Sequence, residues 1–276
     1  GCEPVCEPAS GAVMAAIHST AVIDPKAELD SSVEVGPYTI IGPHVRIGAG
    51  TRVGPHVVID GHTTIGSDNH LFQFSSIGAQ PQDKKWAGEP TRLEIGDRNT
   101  IREFCTFNTG TVQGGGVTRL GNDNWISAYV HLAHDCLVGN NTIFSNNAQL
   151  AGHVEIGNWV IMSGFANVHQ FCKIGAHAFV GMSTSLTQDV PPFVLLNGNP
   201  AQAHGVNIEG LKRRGFTREQ INGIRTAYKL IYRSGLTLEE SKAALFEEEA
   251  ASSPEVAEHI RAMREFLGVA SRGIVR

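Results

Sequence analysis

The sequence predicts a mainly β protein: a parallel β-helix wound from six-residue sides, followed by a C-terminal α-helical domain. Three observations predict it. A large apolar residue recurs every six residues through most of the chain, glycine follows it at about half of those positions, and capped helical patterns begin only where the six-residue beat ends. A period of six fits neither the 3.6 of an amphipathic helix nor the 2 of an ordinary strand. Hexapeptide repeats are a signature of β-helices, in which each side of a coil sends one large side chain inward.

In chain order, residues 1–13 (GCEPVCEPASGAV) are small, polar and out of register, and read as a leader or an added remnant ahead of Met14. The β-helical domain is expected over 14–190. Its beat runs in steps of six from Ile23 to Ile77, resumes at Ile95, Ile101 and Phe107, and continues from Leu120 to Leu186, giving 25 apolar positions without an exception. Gly follows 12 of the 25, which suits a backbone that turns where a Cβ would clash. Three sides close a triangular coil of 18 residues, each coil about 4.8 Å above the last, so about eight coils make a prism roughly 40 Å long. The period does not fix the hand of the solenoid.

Two segments break the beat. Residues 79–94 (AQPQDKKWAGEPTRLE) keep the phase but place Asp83 and Glu89 where aliphatics belong, and residues 108–119 (NTGTVQGGGVTR) make a step of 13 from Phe107 to Leu120. Both are expected to leave the prism as loops. Loops on a rigid scaffold often carry function, although a tolerated surface insertion is the plainer alternative.

The helical domain is expected over 191–276, after DVPP. Thr217 with Gln220 and Thr237 with Glu240 form capping boxes, and Ser253 precedes Pro254 at a first helical position, so three helices follow. The stretch from Glu209 to Gly235 holds seven basic residues against two acidic ones. That suits a phosphate or an acidic protein partner, or simply a solvated helix face.

Net charge is −5 over 276 residues, so no overall field draws the chain to nucleic acid or anionic lipid. No run approaches the roughly 18 apolar residues of a membrane span, and AVMAAIHSTAVI is a poor secretory signal. The five cysteines show no paired C-x-x-C spacing and suit reduced thiols. A cytoplasmic protein is expected.

In a triangular coil, residues 18 apart stack. The string HLAHD at 131–135 has Leu132 pointing inward, which puts His131, His134 and Asp135 on a corner or an outer face. Eighteen residues above His134 come Gly152 and then Gln170; above Asp135 come His153 and then Phe171. An imidazole oriented by a carboxylate is a general base, and a nearby Gly N–H suits an oxyanion. Other histidines (His18, His44, His56, His70 and His259) read as surface decoration. A zinc site from His131, His153 and His169 is disfavoured because they differ in phase and no cysteine joins them, so no metal is expected. Met182 lies two residues past the inward Val180 and projects outward.

At HLAHDC, LAGHVEIG, VHQFCKIGAH, QDVPPFV and GVNIEGLKRRGF, and from about Ile17 to Arg276, the chain resembles the bacterial UDP-N-acetylglucosamine O-acyltransferases of the hexapeptide-repeat superfamily. The resemblance implies a left-handed β-helix and a homotrimer with sites between subunits. It implies transfer of an (R)-3-hydroxyacyl group from acyl carrier protein to the 3-hydroxyl of UDP-N-acetylglucosamine, the first step of lipid A synthesis, with no further cofactor. His134 would be the base, Asp135 its orienter and Gly152 N–H the oxyanion donor. Asp83 and Lys85 would contact the sugar nucleotide; His131, His153, His169 and Gln170 would line the cleft; Asn207, Glu209, Arg213 and Arg214 would hold nucleotide or pantetheine groups. The basic stretch would attract the carrier. Two departures stand out: Asn108 and Thr109 replace the usual His-Arg or His-Thr before GTVQ, and Met182 replaces a small Gly of long-chain members, which predicts a medium-length acyl chain. The alternatives are the related N-acyltransferase of the same pathway and an acetyl-CoA-dependent acetyltransferase.

Overall fold

The computed structural model describes residues 17–276; the expected leader over 1–13 and the start of the β-helical domain at Met14 lie outside them. The six-residue beat becomes strands of two to four residues, such as Ile40–Ile41, Leu137–Val138 and Ile161–Met162. Within an uninterrupted register each strand pairs in parallel with the one 18 residues on: Val22 with Ile40, Leu137 with Glu155, Ile161 with Phe179. Three sheets result. The first face has nine strands from Val22–Ile23 to Ser185–Leu186, the second has eight from Glu28–Leu29 to Lys173–Ile174, and the third has ten, beginning at Glu34–Val35. The first face is one level taller than the eight coils expected.

The core is the beat itself. Of its 25 residues, 23 are buried, and only Ile23 and Leu29 in the open first coil are partly exposed. The glycines that follow the beat admit the next coil rather than reverse the chain: a Cβ on Gly157 would lie 2.6 Å from the Ala176 amide nitrogen. Positive φ falls two residues later, on side-chain-bearing positions such as Asp135 (62°), His153 (63°) and Trp159 (62°). Such a conformation costs roughly 1–2 kcal/mol per residue, and the stacked parallel ladders hold it in place.

The faces differ outside. The second is a ladder of ion pairs, Arg46 to Glu28 at 3.1 Å, Arg119 to Glu94 at 2.7 Å, and Lys173 to Glu155; exposed pairs of this kind add little stability and mark a solvated surface. The lower first face is apolar, with Val22, Ile40 and Val58 exposed. Along its edge Tyr38, His56, Phe74, Phe104 and Tyr129 stack face to face at 4.7–5.4 Å.

Both loops are shorter than expected. Ser76–Ala79 and Arg92–Ile95 are strands, so the first excursion leaves and returns between them rather than over 79–94. Thr106–Asn108 and Val117–Leu120 are also strands, confining the second insertion to 109–116 around a short 3-10 turn at Val112–Gly114. Phe107 pairs with Leu132, 25 residues on instead of 18. The step of 13 is therefore one side plus seven inserted residues, not two sides plus one.

The solenoid also outlasts the expected boundary at 190. Val194–Asn197 adds a parallel strand to the third face and Gln202–Val206 closes it antiparallel; Val194 and Leu196, off the beat, are fully buried there, while Phe193, at the corner with a φ of 69°, stacks on His177 at 5.5 Å and is covered by Phe216 and His259. Four helices follow, not three: α1 (Ile208–Arg213), α2 (Arg218–Tyr232), α3 (Leu238–Ala251) and α4 (Pro254–Val269). Both capping boxes form, while Ser253 makes no side-chain cap bond. Ile224, Leu245, Ile260 and Met263 join the helices at full burial. His259 is not surface decoration: its side chain is 13% exposed and packs on Phe216 at 5.0 Å and Phe193 at 5.7 Å. Among the described residues no helix is long and apolar enough to cross a membrane.

Candidate active site

Leu132 fills the core, and the chain then turns the corner from the first face to the second through Ala133, His134, Asp135 and Cys136. The 62° φ of Asp135 directs its side chain back beneath the corner, where only 1% of it is exposed. There Asp135 Oδ2 lies 2.8 Å from His134 Nδ1. The carboxylate accepts, so Nδ1 carries the proton and Nε2 is left as the basic atom. The His134 side chain remains 16% exposed, enough to be reached from outside.

The coil above completes the arrangement. A Cβ on Gly152 would lie 2.5 Å from His134 Cε1 and 2.7 Å from Nε2, so the His134 ring occupies the space where any other residue would place its side chain. The Gly152 N–H donates to no protein atom among the described residues. His153 meets His134 edge to face at 5.1 Å and stacks on Phe171 at 4.4 Å. Its Nε2 is 3.6 Å from Asp135 Oδ2. Burial pulls its pKa below the ordinary imidazole value, partly offset by Asp135 and, more weakly, by Asp83.

On the first face His131 Nδ1 is 2.7 Å from Thr106 Oγ1, and burial lowers its pKa too. His131, His134, Gln149, Gly152 and Asn167 line a cleft of about 420 Å³ that Gln82 of the first loop borders. Asp83 caps its own turn by accepting from the Lys85 N–H at 2.9 Å, and Lys85 is exposed. His169 and Gln170 are exposed at the corner two levels above, and Met182 is 72% exposed at the opposite edge of the first face.

The remaining expected residues are not brought to His134 within one chain. Asn207, Glu209, Arg213 and Arg214 sit at α1, beside the corner between the second and third faces. Asn207 is 4% exposed, its Oδ1 capping Gly210 N–H at 3.2 Å and its Nδ2 donating to His177 O at 3.0 Å. Glu209 pairs with Lys212 at 3.0 Å and Arg213 is exposed. Arg214 Nη1 lies 3.2 Å from His177 Nδ1 and its guanidinium sits 5.3 Å over Trp159. Burial, with Arg214 alongside, pushes His177 down to about 4, leaving its Nδ1 free to accept. Asn108 and Thr109 tie the roots of the two loops together: Asn108 Nδ2 donates to Gln80 O at 3.0 Å and Thr109 Oγ1 lies 3.2 Å from Thr91 Oγ1.

Thiol chemistry is not available here, since Cys136 is fully buried and desolvation pushes its pKa up to about 12. His134, Asp135 and His153 bring potential metal ligands within 4.8 Å of one another, and the carboxylate among them is already engaged by His134 and by Thr111. Thr106 could have been found by the 18-residue ruler once the seven inserted residues are subtracted. Thr111 carried no such signal, because its place depends on how the second loop folds.

A hexapeptide solenoid with an oriented imidazole on its outer corner defines the class: the chain is an acyltransferase of the hexapeptide-repeat type. A family model described as bacterial transferase hexapeptide (six repeats) matches residues 118–152, and one described as UDP N-acetylglucosamine O-acyltransferase, domain 2, matches 189–275. The acyl-[acyl-carrier-protein]–UDP-N-acetylglucosamine O-acyltransferase of Janthinobacterium sp. (strain Marseille) is 64% identical, and that of Herminiimonas arsenicoxydans 62%, each over 95% of this chain and 100% of the relative. LpxA from Acinetobacter baumannii superposes with a TM-score of 0.91 at 48% identity, over 95% of this chain and 100% of that one. The chain belongs to the acyl-[acyl-carrier-protein]–UDP-N-acetylglucosamine O-acyltransferase family.

Proposed function

We propose that the protein transfers an (R)-3-hydroxyacyl group from the thioester of acyl carrier protein to the glucosamine 3-hydroxyl of UDP-N-acetylglucosamine, opening lipid A synthesis in the cytoplasm. The observation that carries this reading is the 2.8 Å contact of His134 Nδ1 with a buried carboxylate, together with a bare amide against the other side of the ring. His134 Nε2 takes the proton of the sugar hydroxyl as its oxygen attacks the thioester carbonyl. The tetrahedral oxyanion accepts from Gly152 N–H; its collapse breaks the carbon–sulfur bond, and the imidazolium returns the proton to the departing pantetheine thiolate. The acyl group arrives on the carrier, and no other cofactor takes part.

A second copy of the chain completes the site. The residues at α1 stand on a different edge of the prism from His134, and the exposed apolar lower first face, which continues upward into the cleft, has the character of a surface that another protomer covers. A homotrimer, in which each first face meets a neighbour, satisfies both. Arg213 and Arg214 then serve nucleotide or pantetheine phosphates across the interface, and the basic residues of α2 attract the acidic carrier.

The test is to offer the purified protein UDP-N-acetylglucosamine with a ladder of 3-hydroxyacyl carrier proteins and to weigh the product. An ester on the sugar nucleotide is expected; transfer only from acetyl-CoA, or only to an amine, overturns the reading. Met182 stands three levels above His134, about 14 Å along the prism, at the opposite edge of the first face, and in this reading it floors the acyl groove. Medium-length chains should therefore be preferred, and Met182→Gly should move the preferred length upward; an unchanged length profile removes Met182 from that role.

A further inference from the structure

The second loop does more than interrupt the solenoid. Its seven inserted residues fold back beneath the His134 corner and terminate on the carboxylate of Asp135. Thr111 N donates to Asp135 Oδ1 at 2.7 Å and Thr111 Oγ1 donates to Oδ2 at 2.6 Å. The direction of the second bond is settled by its neighbours: the same hydroxyl accepts from Gly114 N–H at 3.2 Å, so its proton points to the carboxylate. Thr111 is the N-cap of the 3-10 turn at Val112–Gly114, and one residue thereby shapes the loop and clamps the acid. Gly114 closes the arrangement, since a Cβ there would lie 2.1 Å from Asp135 Cγ. From the other side Thr118 Oγ1 accepts the Asp135 N–H at 2.8 Å.

We infer that Thr111 is a positioning residue for the transfer reaction: its paired amide and hydroxyl lock the Asp135 carboxylate in the one rotation that lets Oδ2 accept from His134 Nδ1. The inference rests on His134 acting as the base. A carboxylate held at both oxygens cannot turn away, and this keeps His134 in the tautomer with Nε2 free. Without the hydroxyl, Oδ2 loses a charge-assisted bond in a site from which water is excluded. The imidazole then shares its proton between both ring nitrogens, and the Nε2–H form cannot deprotonate the sugar.

The experiment compares Thr111→Val, Thr111→Ser and His134→Ala in the full chain. Thr111→Val is expected to lower kcat roughly tenfold to a hundredfold, with KM for sugar nucleotide and acyl donor within about twofold because Thr111 touches neither. Thr111→Ser, which restores the hydroxyl, should regain most of the rate. Nitrogen NMR of histidine-labelled protein reads the tautomer directly: Nδ1-protonated His134 in the parent and the Ser variant, a mixture in the Val variant. A Val variant with unchanged kcat and unchanged tautomer overturns the inference, as does a loss confined to KM. If Val and Ser variants lose rate equally while the tautomer stays as in the parent, the loop is only scaffold and the inference also fails. An active His134→Ala variant would instead overturn the general-base reading beneath it, so the two failures are told apart.

Discussion

Replacing His134 by alanine is expected to lower kcat by a hundredfold or more while KM for UDP-N-acetylglucosamine changes little. The magnitude is that of removing a positioned general base. No other group near the cleft takes over cheaply. His131 is tied to Thr106 through Nδ1 and lies on the face rather than at the corner; His153 faces Phe171 with its ring plane and directs Nε2 at Asp135; the Cys136 thiol is buried. Residual turnover should come from binding and from the Gly152 amide alone. Steady-state kinetics with the acyl carrier substrate at saturation checks it, and retention of more than about a tenth of the parent rate would contradict the role.

The second large effect is on stability. Phe144 is fully buried and stacks in register between Ile126, one coil below, and Met162, one coil above. Phe144→Ala should cost about 3–5 kcal/mol, the transfer free energy of the ring plus the cavity left behind. Relaxation is limited because the strand is pinned to the coil above, Ile143 N to Val160 O at 3.0 Å and Ser145 N to Met162 O at 2.8 Å, and to the coil below, Ser127 N to Phe144 O at 2.8 Å. In a solenoid each coil contacts only its neighbours, so the damage also cuts the chain's cooperative stack. Urea unfolding followed by circular dichroism should show the midpoint falling; a shift worth less than about 1 kcal/mol would mean the core can close over the gap.

Much of this was legible before any coordinates. The step of six announced the solenoid, and the 18-residue ruler put Gly152 over His134 and His153 over Asp135, as the structure has them. That ruler works because a parallel β-helix has one repeating geometry, so spacing in sequence converts directly to height in space. It failed at the ends and at the insertions for the same reason. Val194 and Leu196 extend the solenoid without keeping the beat, α1 is too short for a periodic signal, and His259 is buried by helices whose packing no local pattern records.

The sequence alone determined the repeat, which side chains point inward, and which corner carries the imidazole and carboxylate, because these follow from local periodicity and the alternation of inward and outward positions. Only the tertiary structure decided that the carboxylate is held by Thr111 in space that Gly114 leaves open, that Asn207 is spent as a helix cap, and that the α1 arginines stand on another edge from His134. Those outcomes depend on how irregular segments fold back over the regular ones, where long-range hydrogen bonds and close packing, not period, select the conformation.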